Sequence, residues 1–77
     1  MKRISIFGAT GSIGQNKLDL IRRDRDAYQV VALSGAGNIA QLAKDAVEFN
    51  AEIAVTADPS QYQSLKTALA GTSVTAD

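Results

Sequence analysis

Two spacings of apolar residues alternate along the chain. Ile4, Ile6 and Phe7 fall in a short run, about residues 2–7, with the near two-residue period of a β-strand. Tyr28-Gln29-Val30-Val31-Ala32-Leu33 is almost continuously apolar, and Ile53-Ala54-Val55-Thr56 is a third such run. Continuous apolar strands suit a parallel sheet covered on both faces. Between them the period lengthens to that of a helix. Ile13, Leu18 and Ile21 share a face over about 13–23, with Leu20 at its edge. Ile39, Leu42, Ala43, Ala46 and Val47 make a stripe over about 39–49, and Tyr62, Leu65 and Leu69 another over about 59–70. The third helix has signals at both ends. Asp58 is a cap, Pro59 takes the first helical position, Gln61 completes a capping box and Gly71 is a stop. Thr72-Ser73-Val74-Thr75-Ala76-Asp77 reads as the start of a fourth short strand.

The order βαβαβα, with right-handed crossovers, predicts an α/β, Rossmann-like fold built on a parallel sheet. Its 77 residues amount to one small domain, and to an incomplete version of a doubly wound one. The cluster Arg22-Arg23-Asp24-Arg25-Asp26 reads as the solvated end of the first helix and the turn after it.

Composition narrows the chemistry. Eight basic and eight acidic residues cancel, so no nucleic-acid surface is expected. Without Cys there is no disulfide or thiolate chemistry, and without His the commonest general base and metal ligand is missing. No apolar run approaches the roughly 20 residues that span a bilayer, and too few apolar residues follow Lys2-Arg3 for a signal peptide. The chain reads as cytoplasmic, with no membrane partner. Asp19, Asp24, Asp26, Asp45, Glu48, Glu52 and Asp58 are placed on helix surfaces or caps, and no catalytic residue or metal cluster is assigned.

The most informative stretch is Phe7-Gly8-Ala9-Thr10-Gly11-Ser12-Ile13-Gly14, between the first strand and the first helix. A tight strand-to-helix turn needs a Gly where a Cβ is disfavoured. A second Gly lets a pyrophosphate approach the backbone, and a third lets the helix pack on the strand. Gly8, Gly11 and Gly14 take these roles in that order, Thr10 and Ser12 add hydroxyls, and the helix start supplies N–H groups for phosphate. The spacing is G-x-x-G-x-x-G rather than the standard dinucleotide spacing. Gln15-Asn16 after Gly14 excludes a P-loop. The bland alternative is a βα turn that merely happens to be glycine-rich.

An NAD-binding unit carries an acid about 20 residues beyond such a motif, on the ribose 2′-OH. Here that place is Ser34, followed by Gly35-Ala36-Gly37-Asn38, with neither acid nor base. Missing the acid fits NADP better than NAD, but nothing cationic holds a 2′-phosphate. Ser34 and Asn38 offer neutral hydrogen bonds, and Asn38 equally suits the cap of the second helix.

Ile4-Ser5-Ile6-Phe7-Gly8-Ala9-Thr10-Gly11-Ser12-Ile13-Gly14 and Leu18-Asp19-Leu20-Ile21 resemble the start of the 1-deoxy-D-xylulose 5-phosphate reductoisomerases. Val30-Val31-Ala32-Leu33-Ser34, Asn38-Ile39 and Ala51-Glu52-Ile53-Ala54-Val55-Thr56 continue the likeness over essentially the whole chain. The resemblance implies an NADPH-dependent enzyme of isoprenoid precursor synthesis by the methylerythritol phosphate route. It rearranges and reduces its substrate to 2-C-methyl-D-erythritol 4-phosphate, uses a divalent metal (Mg or Mn) and acts as a homodimer. It implies that Thr10, Gly11, Ser12 and Ile13 line the cofactor's phosphates and that the segment around Gly35, Ala36, Gly37 and Asn38 lies by the adenosine ribose and its 2′-phosphate; Gly8, Gly14 and Ser34, from the residue reading above, complete the candidate cofactor-binding set. Residues 1–77 are then the amino-terminal part of a dinucleotide-binding domain, inactive alone, with metal and substrate sites elsewhere in a longer protein. The family pattern has Thr where Lys17 stands and Arg or Lys where Gly37 stands. Lys17 reads either as solvated or as reaching a phosphate. Without a base at Gly37, discrimination between NADP and NAD is expected to stay below tenfold, roughly 1.4 kcal/mol. The competing class is a stand-alone small α/β binding or structural module with a vestigial glycine loop.

Overall fold

The computed structural model describes residues 2–35 and 37–77. Strand β1 (Lys2–Ile6) leads through a turn into helix α1 (Ser12–Arg22). Strand β2 (Tyr28–Gly35) is followed by α2 (Ile39–Glu48), β3 (Ile53–Thr56), α3 (Tyr62–Ala68) and a two-residue strand β4 (Thr75–Ala76). All four strands are parallel, in the order β1-β2-β3-β4. The α/β parallel architecture is the expected one, and the fourth strand falls inside the segment expected to begin one.

The expectation of a sheet covered on both faces does not hold within this chain. Right-handed crossovers that step always in one direction across a sheet leave their helices on one face. The Cα extents, 33 × 26 × 15 Å, fit one sheet and one helix layer. Ile6, Val30, Leu33 and Ala54 point into that layer and are buried with Leu18, Ile21, Leu42, Ala46, Leu65 and Leu69. The opposite face carries Arg3, Ser5, Gln29 and Ser34, with Ala32, Ile53 and Val55 only partly covered. A register shift makes this possible. Ile4 pairs with Val30 but Ser5 with Ala32, so Val31 is an extra residue in β2. Without that bulge Leu33 would face outward, because the side-chain period of a strand is two.

Several helix details differ from expectation. Ile13 is 72% exposed, because Gly14, Leu18 and Ile21 form the buried face of α1. Val47 and Tyr62 are also exposed, while Asp45, expected at the surface, is buried. The capping box is absent: Asp58 Oδ1 accepts from the Ser60 amide at 3.0 Å, and the Asp58 amide donates to Thr56 Oγ1 instead. Asp58 thereby starts a 3-10 turn, Pro59–Gln61, ahead of α3. Gly71 follows α3 with φ +82°, as a helix-ending glycine should. The charged cluster after α1 is not simply solvated. The Arg22 and Arg25 guanidinium carbons lie 5.2 and 5.5 Å from the centre of the Phe49 ring.

Candidate nucleotide site

The turn from β1 to α1 lies at the carboxyl end of the parallel strands, beside the end of β2, where open α/β sheets place their ligands. Its three glycines have different physical reasons. Gly8 has φ +68°, in the left-handed region. A Cβ on Gly14 would stand 2.3 Å from the Gly8 carbonyl oxygen and 2.6 Å from the Ala9 Cα, so only hydrogen fits there. Gly11, with φ −77° and ψ 169°, is ordinary extended backbone, and its added Cβ would meet only the Gly8 oxygen at 3.5 Å. The fold thus requires Gly8 and Gly14 but has no steric need of Gly11.

The turn is tied to β2. The Ala9 amide donates to the Ser34 carbonyl at 2.7 Å, and the Gly8 amide donates to the Ser34 hydroxyl at 3.2 Å. Thr10 packs on Gly35, where an added Cβ would lie 3.2 Å from the threonine Oγ1. The two segments singled out in the sequence therefore meet. At the start of α1, Gly11 is the N-cap and offers no side chain. Among the described residues the amides of Ser12, Ile13 and Gly14 have no hydrogen-bond partner, and the first helical bond runs from Gln15 N–H to the Gly11 carbonyl. Those three donors sit at the positive end of the helix dipole. Gly8, Gly11, Ser12, Ile13, Gly14 and Lys17 border a cavity of about 410 Å³, with Phe7, 84% exposed, at its rim.

A larger cavity of about 540 Å³ lies elsewhere, along the outer edge of β1 against α1, between Ile4, Ile6, Leu20, Ile21 and Tyr28. It is mainly apolar, so it is the poorer candidate for a charged ligand. Lys17 borders both cavities.

At the second segment, Asn38 Oδ1 accepts from the Gln41 amide at 3.2 Å, which realises its capping role. Gly37 is exposed and has open space where a Cβ would point. Ala36 lies outside the described residues. Arg3 is engaged with Glu52 at 2.9 Å and faces away from the turn. Two residues near the site were not singled out by their sequence, Gln15 and Asp45. The Gln15 amide nitrogen donates to the Ala9 carbonyl at 2.9 Å and to Asp45 Oδ2 at 2.7 Å. The available signal was the position of Asp45 within the apolar stripe of α2, three residues after Leu42 and next to Ala46. Among the described residues no group of three or more acidic, His or Cys side chains gathers as a metal would need, and no helix is long and apolar enough to cross a membrane.

A glycine turn between strand and helix, unpaired amides at the helix start and a position at the strands' carboxyl ends define a Rossmann-like α/β unit. Residues 4–77 match the family model described as 1-deoxy-D-xylulose 5-phosphate reductoisomerase, and the chain belongs to that family. The reductoisomerase of Ruegeria sp. (strain TM1040) is 63% identical over 76 residues, which are 99% of this chain and 19% of that protein. That of Agrobacterium fabrum (strain C58 / ATCC 33970) is 53% identical over 75 residues, 95% of this chain and 19% of its own length. The chain thus spans about a fifth of the curated relatives it matches. Among solved structures, the Zymomonas mobilis reductoisomerase in complex with NADPH superposes with a TM-score of 0.96 at 53% identity, over 97% of this chain and 20% of that one. A DOX-P reductoisomerase in complex with NADPH, fosmidomycin and magnesium gives 0.89 at 31% identity, over all of this chain and 20% of that one.

Proposed function

We propose that this chain is the amino-terminal, NADPH-binding part of a reductoisomerase that converts 1-deoxy-D-xylulose 5-phosphate to 2-C-methyl-D-erythritol 4-phosphate. The observation that carries this reading is Gly11. The fold has no steric use for a glycine there, yet the position borders the cavity beneath three unpaired amides. An absent side chain that serves no packing purpose serves a ligand that must come close to the backbone. In this reading the Ser12, Ile13 and Gly14 amides bind the cofactor's pyrophosphate, aided by the Thr10 and Ser12 hydroxyls. Ser34, Gly35, Ala36, Gly37 and Asn38 lie along the adenosine ribose.

The chain's own contribution is to bind and orient the cofactor. NADPH, when bound, supplies the hydride. The catalytic groups and the divalent metal belong to other parts of the longer protein, so the 77-residue chain alone is inactive. Residues 1–77 form the first half of a doubly wound domain, and the bare outer face and the apolar groove along β1 are where the rest of that domain packs. On the same family likeness, the whole protein is a cytoplasmic homodimer.

An amide chemical-shift titration of the chain with NADPH tests the binding assignment. Shifts should cluster at residues 8–14 and 34–38, and binding should be weak because part of the usual cofactor burial is missing. Shifts concentrated on α3 would refute the assignment. Turnover of NADPH with deoxyxylulose phosphate by the chain alone would refute the division of labour.

A further inference from the structure

Asp45 is 1% exposed and is the one buried charged residue among those described. Its carboxylate meets amides rather than cations. Gln15 Nε2 donates to Oδ2 at 2.7 Å, and Gln41 Nε2 donates to Oδ1 at 2.9 Å. A carboxylate buried without a cation is costly, whereas an apolar side chain beside Leu42 and Ala46 would not be. The fold of α2 therefore gives no reason for an acid here. The glycine turn does.

A carboxylate only accepts hydrogen bonds, so it fixes which way the neighbouring amide of Gln15 is turned, with nitrogen inward. That nitrogen has a second hydrogen, and it falls on the Ala9 carbonyl at 2.9 Å. On its other side Ala9 donates its amide to the Ser34 carbonyl at 2.7 Å. The first half of the turn is thus clamped between β2 and α2, while the second half presents the free amides of Ser12, Ile13 and Gly14. We infer that Asp45, acting through Gln15, is a positioning residue that sets the conformation of the glycine turn and hence its affinity for a nucleotide's phosphates. The affinity part rests on the nucleotide-binding reading; the conformational part does not.

The chemistry distinguishes this role from simple packing. Asp45→Asn keeps one acceptor oxygen, which can still hold Gln15 if Gln41 turns its amide round, so the clamp survives. Asp45→Leu and Gln15→Met remove it. Gln41→Met removes the other hydrogen bond of Asp45 but leaves the Gln15 link, and so serves as the control for lost stability alone. Two measurements on the parent and the four variants decide the matter: amide hydrogen exchange at Ala9 and Gly11 without nucleotide, and the NADPH dissociation constant by amide titration. Folding of each variant is checked by circular dichroism. The expected result is faster exchange at both amides and about tenfold weaker NADPH binding in Asp45→Leu and Gln15→Met, with Asp45→Asn and Gln41→Met close to the parent. Parent-like exchange at Ala9 and Gly11 in folded Gln15→Met overturns the inference, whatever NADPH does. Equal loss in Gln41→Met and Gln15→Met also overturns it, since the effect would then follow stability. If Asp45→Leu and Gln15→Met both fail to fold, Asp45→Asn decides: loosened exchange there overturns the inference and parent-like exchange supports it. A parent that binds no NADPH refutes the nucleotide reading, and the exchange data then still judge the clamp.

Discussion

The two ends of this sheet are built from the same strands and treated in opposite ways. At the amino ends, polar groups are closed off in pairs. Arg22 donates through Nη2 to Glu48 Oε1 at 3.1 Å, joining α1 to α2, and the Arg25 guanidinium reaches the Glu48 carbonyl. Both arginines flank the Phe49 ring, and Arg3 meets Glu52 and Gln29 on the outer face. At the carboxyl ends, among the described residues, the first three amides of α1 are left without partners, and two large apolar side chains beside them, Phe7 and Ile13, stand in solvent. The difference teaches where to look for function. One end spends its residues on joining elements, and the other keeps donors in reserve beside a rigid turn.

That contrast can be broken first at the closed end. Phe49→Ala should destabilise the chain by about 3–5 kcal/mol, the range for truncating a buried aromatic. Thermal unfolding of the variant measures this directly, and a loss under about 1 kcal/mol would mean that the arginine–aromatic cluster does not hold α1 and α2 together. The open end separates stability from binding at two glycines. Gly14→Ala should cost about 1–3 kcal/mol or more, since its Cβ overlaps the backbone and α1 must move off β1. Gly11→Ala should cost no more than about 1 kcal/mol, the difference between Gly and Ala as an N-cap, while abolishing measurable NADPH binding. Urea unfolding beside an NADPH titration checks both, and a Gly11→Ala chain that binds like the parent would remove the main support for the phosphate site.

A third change sharpens cofactor choice. Gly37→Arg should favour NADP over NAD by roughly 1–3 kcal/mol, the value of a charge-assisted contact, and added salt should shrink the effect. Open space surrounds the Gly37 Cβ position, so an arginine side chain meets no steric clash there. The parent should distinguish the two cofactors by less than about tenfold. Dissociation constants for both cofactors decide this, and a strong NADP preference in the parent would point to another cation, with Lys17 at the cavity the first to test.

The smallest effect returns to the closed end. The hydrogen bond from Arg22 is the main cause that holds the Glu48 carboxyl below its ordinary pKa, against the opposing effect of its partial burial. The unfolded chain therefore binds that proton more readily. The Glu48 contribution is present at neutral pH, begins to fade once the pH falls below the ordinary glutamate range, and is lost as the pH drops through the lowered folded value. Glu48→Gln should flatten the acid limb of stability over that window, and an unchanged limb would mean that the pair contributes nothing in solution. The pair is exposed enough for salt to weaken it.

Much of this was legible from residue type and spacing. β3 falls on its expected residues, and β1, β2, α1 and α2 lie within a residue or two of expectation. The glycine turn was legible because backbone geometry restricts Gly8 and Gly14 to one residue type. What escaped depended on which of several available partners each group takes in the folded chain. Ile13 has helical spacing to Leu18 and Ile21, but its face opens over the glycine cavity rather than the sheet. The bulge at Val31 leaves no mark in an apolar run that reads the same with or without it. Asp45 looked like a surface acid because Gln15, its partner on α1, comes within reach only when α1 and α2 are side by side; its other partner, Gln41, is one turn away on the same helix. The capping box failed because Thr56, two residues before Asp58, offers the Asp58 amide a nearer oxygen.

The strand order also bears on how the chain acquires its shape during synthesis. Each strand after the first lies against the one made just before it, and each intervening helix covers ground already laid down. A polypeptide leaving the ribosome from its amino end could therefore add one βα unit at a time, with no strand of these four waiting for a neighbour made later. Loop closures stay short at every step, so the entropy lost before each pairing is small. The β1–α1 turn receives its clamps in the same order: Ser34 from β2 first, then Asp45 from α2.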